Sequence, residues 1–161
     1  MTTRTKCLVA PFLAILFVPA VLGQMPNPYG PPITLEAAKK AAQPALAEAV
    51  KNHWTIAVAV VDPAGNLVYY EKMDNTQLAS ANIAIDKART AALFKRPSKA
   101  LQDALASGGE GMRVLGLQGA TPVEGGFPLV VDGKIVGAIG ASGVASAQDA
   151  QCAKAGADSL K

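Results

Sequence analysis

Two tight-turn signals inside apolar runs constrain this chain more than any other feature. Asp132-Gly133 separates Leu129–Val131 from Lys134–Gly140. An Asp-Gly pair between apolar β-rich segments is the strongest short-range mark of a two-residue hairpin. Earlier, residues 54–61 (WTIAVAVV) form a run short enough for a buried strand. Asp62-Pro63-Ala64-Gly65-Asn66 then turns the chain into Leu67–Lys72 as an antiparallel return strand. Sheet pairing set by hairpins is antiparallel. It argues against a βαβ nucleotide fold, and the glycines at 137, 140 and 143 do not have GxGxxG spacing.

The segments between these hairpins read as helices. Leu35, Ala38, Ala42, Leu46, Ala49 and Val50 recur at helical spacing over 35–51, with Thr34 as N-cap and Glu36 in the first turn. Pro44 predicts a kink near 40–43. Met73–Gln77 is a polar loop. Ser80 is placed to cap a second helix that runs to about Phe94 and is ended by Pro97. A short third helix is expected over Ser98–Ala106, stopped by Ser107-Gly108-Gly109. Residues 107–128 are glycine-rich and irregular, with a short strand expected at Arg113–Leu117. Ala147–Leu160 closes the chain as an alanine-rich helix. The fold class is therefore mixed α/β (α+β), a single domain with a central antiparallel sheet flanked by helices. Aromatics make up only 5% of the chain. A core so poor in rings must be packed closely from small side chains.

The N-terminus has the form of an export signal. Residues 1–6 carry Arg4 and Lys6, residues 7–22 are uncharged and apolar apart from Pro11 and Pro19, and Gly23 precedes Gln24. The run is shorter than the roughly 20 residues a membrane span needs, so 1–23 reads as a signal peptide cleaved near Gly23-Gln24. The expected location is periplasmic or secreted, with no membrane span after cleavage. Residues 24–33 (QMPNPYGPPI) form a proline-rich tether that orders only if it packs on something, and the domain is expected over 34–161. Without the first 23 residues the formal +3 falls to 13 basic against 12 acidic residues over 138 positions. So neutral a body has no electrostatic footprint for nucleic acid. The mature chain keeps one cysteine, Cys152, so no intrachain bridge forms, and no CxxC or CxxCH motif is present.

Four places could carry chemistry. Ile83, Lys87, Thr90 and Phe94 share one helical stripe. Lys87 either snorkels from a covered face or lines a pocket, where it would bind a carboxylate or act as base or nucleophile. In Thr121–Pro128 (TPVEGGFP), Gly125 and Gly126 allow close backbone approach to a ligand or simply lead an irregular loop into the hairpin, and Glu124 either faces the pocket or is exposed. Gly137–Gly143 (GAIGASG) needs a close neighbour, whether a helix, a second subunit or a flat ligand. Its Ser142 has no His-Asp partnership, which removes a serine hydrolase. His53, the only histidine, either completes a helix C-terminus or serves as an axial haem ligand beside Trp54. Met25, Met73, Met112, Tyr69 and Tyr70 are weaker ligands by the same logic. One histidine and one mature cysteine exclude a multi-ligand zinc or copper centre.

Together, VAVVDPAGNLVYYEKMDNTQLASANIAIDKARTAALFKRPS at 58–98, PVEGGFPLVVDGKIVGAIGASG at 122–143 and QDAQCAKAGADSL at 148–160 resemble the GlcG/HbpS-like family, which is described as haem-binding or haem-degrading-like. The likeness runs from about Thr34 to the end of the chain. It implies a profilin-like α/β domain, a homo-oligomer, and haem or a related tetrapyrrole as ligand, in scavenging or degradation. Carried over by position, it implies a ligand site of Asp74, Lys87, Thr90, Glu124, Gly125, Gly126 and Ser142, with Lys87 and Glu124 as candidate catalytic groups. His53 is not part of the shared motif. The competing function is a binder of, or an enzyme acting on, a small organic acid. There Lys87 would pair the carboxylate, Thr90 and the Gly125–Gly126 amides would orient it, and Glu124 would act as acid or base.

Overall fold

The computed structural model describes residues 26–160. The expected signal peptide lies outside them. Four strands, β1 (Ala57–Val61), β2 (Leu67–Lys72), β3 (Gly126–Val131) and β4 (Lys134–Ser142), form one sheet in the order β2-β1-β4-β3. Every neighbouring pair is antiparallel, as the turn signals require. Asp132 and Gly133 have φ of 48° and 71°, the left-handed pair of a hairpin turn that matches strand twist. At the other turn, Asp62 Oδ1 accepts from the amides of Ala64 and Asn66, both at 2.9 Å. The expected strand over 54–61 begins only at Ala57.

Helices cover both faces. α1 (Leu35–Lys51) and α4 (Ser146–Asp158) lie on one, and α2 (Ser80–Leu93) lies on the other. Thr34 caps α1, its Oγ1 accepting from Ala37 N at 3.2 Å, and the helix continues unbroken through Pro44. Side chains alternate along the strands and sort the core into two layers. Val58, Val60, Ile139 and Ala141 meet Ala41, Ala45 and Ala49 of α1 and Cys152 and Ala153 of α4. On the α2 face, cross-strand partners are small: Ala57 with Ser142, Ala59 with Gly140, Val61 with Ala138. Ala84, Ala88, Ala91 and Ala92 of α2 lie against them.

Three further expectations are corrected. Arg113–Leu117 is not a strand; Gly109–Gly116 forms a 3-10 helix packed on α3 (Lys99–Ala106), because the preceding Gly108 and Gly109 take left-handed φ and turn the chain back. Ser80 does not cap α2. The cap position is Ala79, and Ser80 is buried with its Oγ 3.3 Å from Ser142 Oγ. The last helix ends at Asp158, not Leu160. The tether does pack: Gly30 N donates to Ile135 O and Ile135 N to Pro28 O, both at 2.8 Å, so the segment rests on the start of β4.

Gly140 shows how close the packing is. A Cβ there would lie 2.2 Å from Ala84 O and 2.6 Å from Ala88 N, so α2 presses its backbone directly onto β4. Gly140→Ala is expected to destabilise the protein by about 1–3 kcal/mol through overpacking. Gly116→Ala, where a Cβ meets nothing within 4 Å, is the control. Urea unfolding of both tests this; equal midpoints for the two variants would show that close helix-on-sheet contact is not what fixes the glycine.

Candidate functional site

Lys87 is 1% exposed. Its Nζ lies 2.7 Å from Asp149 Oδ2 and donates to Ala141 O at 3.2 Å. The side chain leaves α2, passes the end of β4 and reaches the first turn of α4, so the pair ties the two helical layers together across the sheet. Asp149, 2% exposed, uses its other oxygen to accept from Val144 N at 3.1 Å. Burial pushes the Asp149 carboxyl above its ordinary range, and the Lys87 ammonium with the Val144 and Gly143 amides pulls it back. Sequence reasoning found Lys87 and missed Asp149. An acid in a first helical turn reads as a complement to the helix dipole, and nothing local links it to a lysine 62 residues earlier.

The Thr121–Gly126 loop is stitched to α2 and the start of α3 by side chains. Thr90 Oγ1 donates to Asp86 O and accepts from Thr121 N, both at 2.8 Å. Ser98 Oγ donates to Val123 O at 2.7 Å and accepts from Gly126 N at 2.9 Å. Ser98 was legible only as a helix start. A Cβ on Gly126 would lie 2.1 Å from Lys87 O, and one on Gly125 2.9 Å from Lys87 Nζ. The structure thus brings Lys87, Gly125 and Gly126 together, with Thr90 anchoring the same loop and Ser142 one residue beyond the Ala141 carbonyl. It does not bring Asp74 or the Glu124 carboxylate to Lys87 by any hydrogen bond or ion pair. Asp74 is exposed in the turn between β2 and α2. Glu124 is half-buried, its amide donating to Gln102 Oε1 at 2.8 Å. A ligand carboxylate would have to displace Asp149 to pair Lys87, and the Gly126 amide already has Ser98.

His53 stands elsewhere. It follows Asn52 at the end of α1 with φ 59°. Its amide donates to Val50 O at 3.1 Å and the Trp54 amide to Ala49 O at 2.9 Å, the hydrogen-bond pair of a Schellman helix end. The backbone is committed to capping, while the imidazole is exposed and makes no hydrogen bond or ion pair among the described residues. Of the weaker ligands, Met112 is 51% exposed, Met73 packs against the core, and Tyr69 donates its hydroxyl to the Glu71 carboxylate. Met25 lies outside the described residues. Among those residues, no group of three or more His, Cys, Asp or Glu side chains is placed to hold a metal ion, and no helix is long and apolar enough to cross a membrane.

The profile of the family "Haem degrading protein HbpS-like" matches residues 33–158. The chain belongs to the HbpS-like family. It is 44% identical over 95 residues to Protein GlcG of Escherichia coli (strain K12), a match that spans 59% of this chain and 69% of that one. Its fold is similar to that of a double mutant of the Streptomyces reticuli HbpS, with a TM-score of 0.75, 30% identity, and coverage of 98% of this chain and 99% of the other. A PduOC:heme complex shares the fold at a TM-score of 0.72 and 23% identity, covering 81% of this chain and 96% of that one. The α+β architecture with a four-stranded antiparallel sheet is that of these HbpS-like structures.

Two outcomes follow from the geometry. Lys87→Met leaves the Asp149 charge buried and unpaired and is expected to cost about 3–5 kcal/mol, whereas Lys87→Met with Asp149→Leu recovers at least half of that loss. Chemical denaturation measures both, and a single variant within 1 kcal/mol of wild type (a limit set by the value of an exposed pair) would show the pair to be dispensable. Cys152 is buried, and burial, with the Asp149 and Glu48 charges, pushes its thiol up to about 11. In a Cys7→Ser background, it is expected to resist a thiol-specific disulfide reagent at pH 8 until the protein unfolds. Rapid labelling of the folded protein would contradict that burial.

Proposed function

We propose that this protein is exported and binds haem or a related tetrapyrrole, with His53 as an axial ligand. The observation that carries the proposal is the pairing of HbpS-like family membership over 33–158 with a sole imidazole that is exposed and unengaged. The donor set fits a macrocycle better than a bare ion. A metal held only by side chains needs several protein ligands. A tetrapyrrole brings four ring nitrogens and asks the protein for one or two axial donors. Neutral imidazole is a good donor of that kind. Beside it, Trp54 is half-buried and Val50, three residues earlier on α1, is 61% exposed, giving apolar surface for a flat ring.

Haem, when bound, supplies a redox-active iron, which is what a role in scavenging or degradation would draw on. The protein's part is to present the imidazole from a helix end whose backbone is already fixed. Export rests on residues 1–23: a basic start, an apolar run and a small residue before Gln24. We take the working form to be a homo-oligomer in the periplasm or outside the cell. Leu78, 87% exposed, supports that reading as apolar surface that a second copy would cover.

Titration of tag-free protein with hemin, followed in the Soret region, tests the proposal. A saturable shift is expected, and His53→Ala should weaken binding at least tenfold, which is about 1.4 kcal/mol, with a changed spectrum. Absence of any saturable shift overturns haem binding. Saturation with an unaltered spectrum in His53→Ala removes His53 as the ligand.

A further inference from the structure

The glycine-rich stretch after α3 builds a second candidate site, away from both Lys87 and His53. The 3-10 helix Gly109–Gly116 folds back on α3 so tightly that a Cβ on Gly111 would lie 1.8 Å from Ala104 O. Between these helices and the C-terminal end of α2 is a cleft of about 360 Å³. That is at the small end of the roughly 300–1,000 Å³ typical of small-molecule sites. Phe94, Leu101, Val114 and Leu117 give it apolar walls, and Arg96 and Arg113 stand among them. No acidic side chain lines it.

The two arginines are unusual in this chain. Among the described residues the only other arginine is Arg89, which has Asp86 as an ion-pair partner at 3.7 Å and Gly65 O as an acceptor. Arg96 donates its Nε to Phe94 O at 2.9 Å, which fixes the guanidinium at the cleft and leaves its terminal nitrogens without a carboxylate. Arg113 has no hydrogen-bond or ion-pair partner among the described residues. Lys99 and Asp103, which flank the cleft on α3, pair with each other. The cleft therefore combines an apolar interior with two free, planar, double-donor cations. That is the complement of a molecule with an apolar body and one carboxylate, because a guanidinium fork matches a carboxylate in a bidentate fashion.

We propose that this cleft binds a small organic acid with an apolar tail, the tail between Phe94, Leu101 and Val114 and the carboxylate on Arg96 and Arg113. The site does not depend on haem binding at His53. It places organic-acid recognition on free guanidinium groups, whereas Lys87 is already paired with Asp149.

Two-dimensional amide NMR of the purified, isotope-labelled protein tests the assignment, with octanoate as probe and octanamide as its uncharged counterpart. Octanoate is expected to shift the amides of Arg96, Leu101, Arg113 and Val114 saturably. Arg96→Gln or Arg113→Gln should each weaken binding by about fivefold, the upper value for a solvent-accessible ion pair, and octanamide should bind correspondingly less well. Arg→Lys variants, which keep the charge, should fall between wild type and Gln and serve if a Gln variant loses its dispersed spectrum. Three outcomes overturn the proposal: no saturable shifts at the cleft, octanamide binding as tightly as octanoate, or unchanged affinity in the double Gln variant.

Discussion

The buried pair of Lys87 and Asp149 is the interaction on which the rest of the arrangement depends. A desolvated ammonium and carboxylate are tolerated only where each has an excellent partner and further hydrogen bonds. Here Lys87 has Asp149 at 2.7 Å and the Ala141 carbonyl, and Asp149 also holds the Val144 amide. Three separate pieces of chain must therefore be in place at once: α2, the end of β4, and the start of α4. The pair fixes how the α2 layer sits relative to the α1–α4 layer, which apolar packing alone would specify less sharply. It also explains the glycines at 125 and 126, because the loop before β3 must run against the lysine's own nitrogen and carbonyl.

The small-residue composition follows from the same geometry. A lysine can reach from α2 past β4 into α4 only if α2 lies very near the sheet. Ala84 and Ala88 on the helix and Ala59 and Gly140 on the strands allow that distance. Larger residues on this face would lift α2 and pull the ammonium away from Asp149. The alanines on α1 do related work on the other face, where the backbone at Ala41 comes within 2.5 Å of where a Cβ on Gly156 would stand. Ring-poor composition is thus tied to a polar contact as well as to the core.

What was legible in the sequence was local. Asp132-Gly133 and Asp62–Asn66 fix hairpins through backbone angles and side-chain hydrogen bonds that span only a few residues. With helical periodicity in 35–51 and 80–93 they define an antiparallel sheet flanked by helices. The stripe containing Lys87 and Thr90 was legible for the same reason. Non-local partners were not. Ser80 looked like a cap because serine often caps helices, yet its burial opposite Ser142 depends on a strand 62 residues away. Arg113–Leu117 looked like a strand because Val and Leu suit one, but left-handed glycines upstream fold it into a 3-10 turn. Ser98 and Asp149 had no signal at all beyond their helix positions.

The polar groups sort by whether they have anything left to offer. Lys87, Thr90, Gly126 and Ser142, which carry the family likeness, have their hydrogen-bonding capacity directed inward to Asp149, Asp86, Thr121, Ser98 and Ser80. In a low-dielectric interior such groups are held by partners they cannot leave without a large desolvation penalty. Here they belong to the frame of the fold. Recognition needs groups whose partners are water, since only these exchange one partner for another at small cost. In this chain the exposed His53 imidazole beyond α1 and the terminal nitrogens of Arg96 and Arg113 beside the 3-10 helix are groups of that kind. His53 and Arg113 lie outside the three segments that carry the family likeness, and Arg96 stands near the end of the first of them. Groups able to exchange one partner for another are thus found, in this chain, away from the buried Lys87–Asp149 pair.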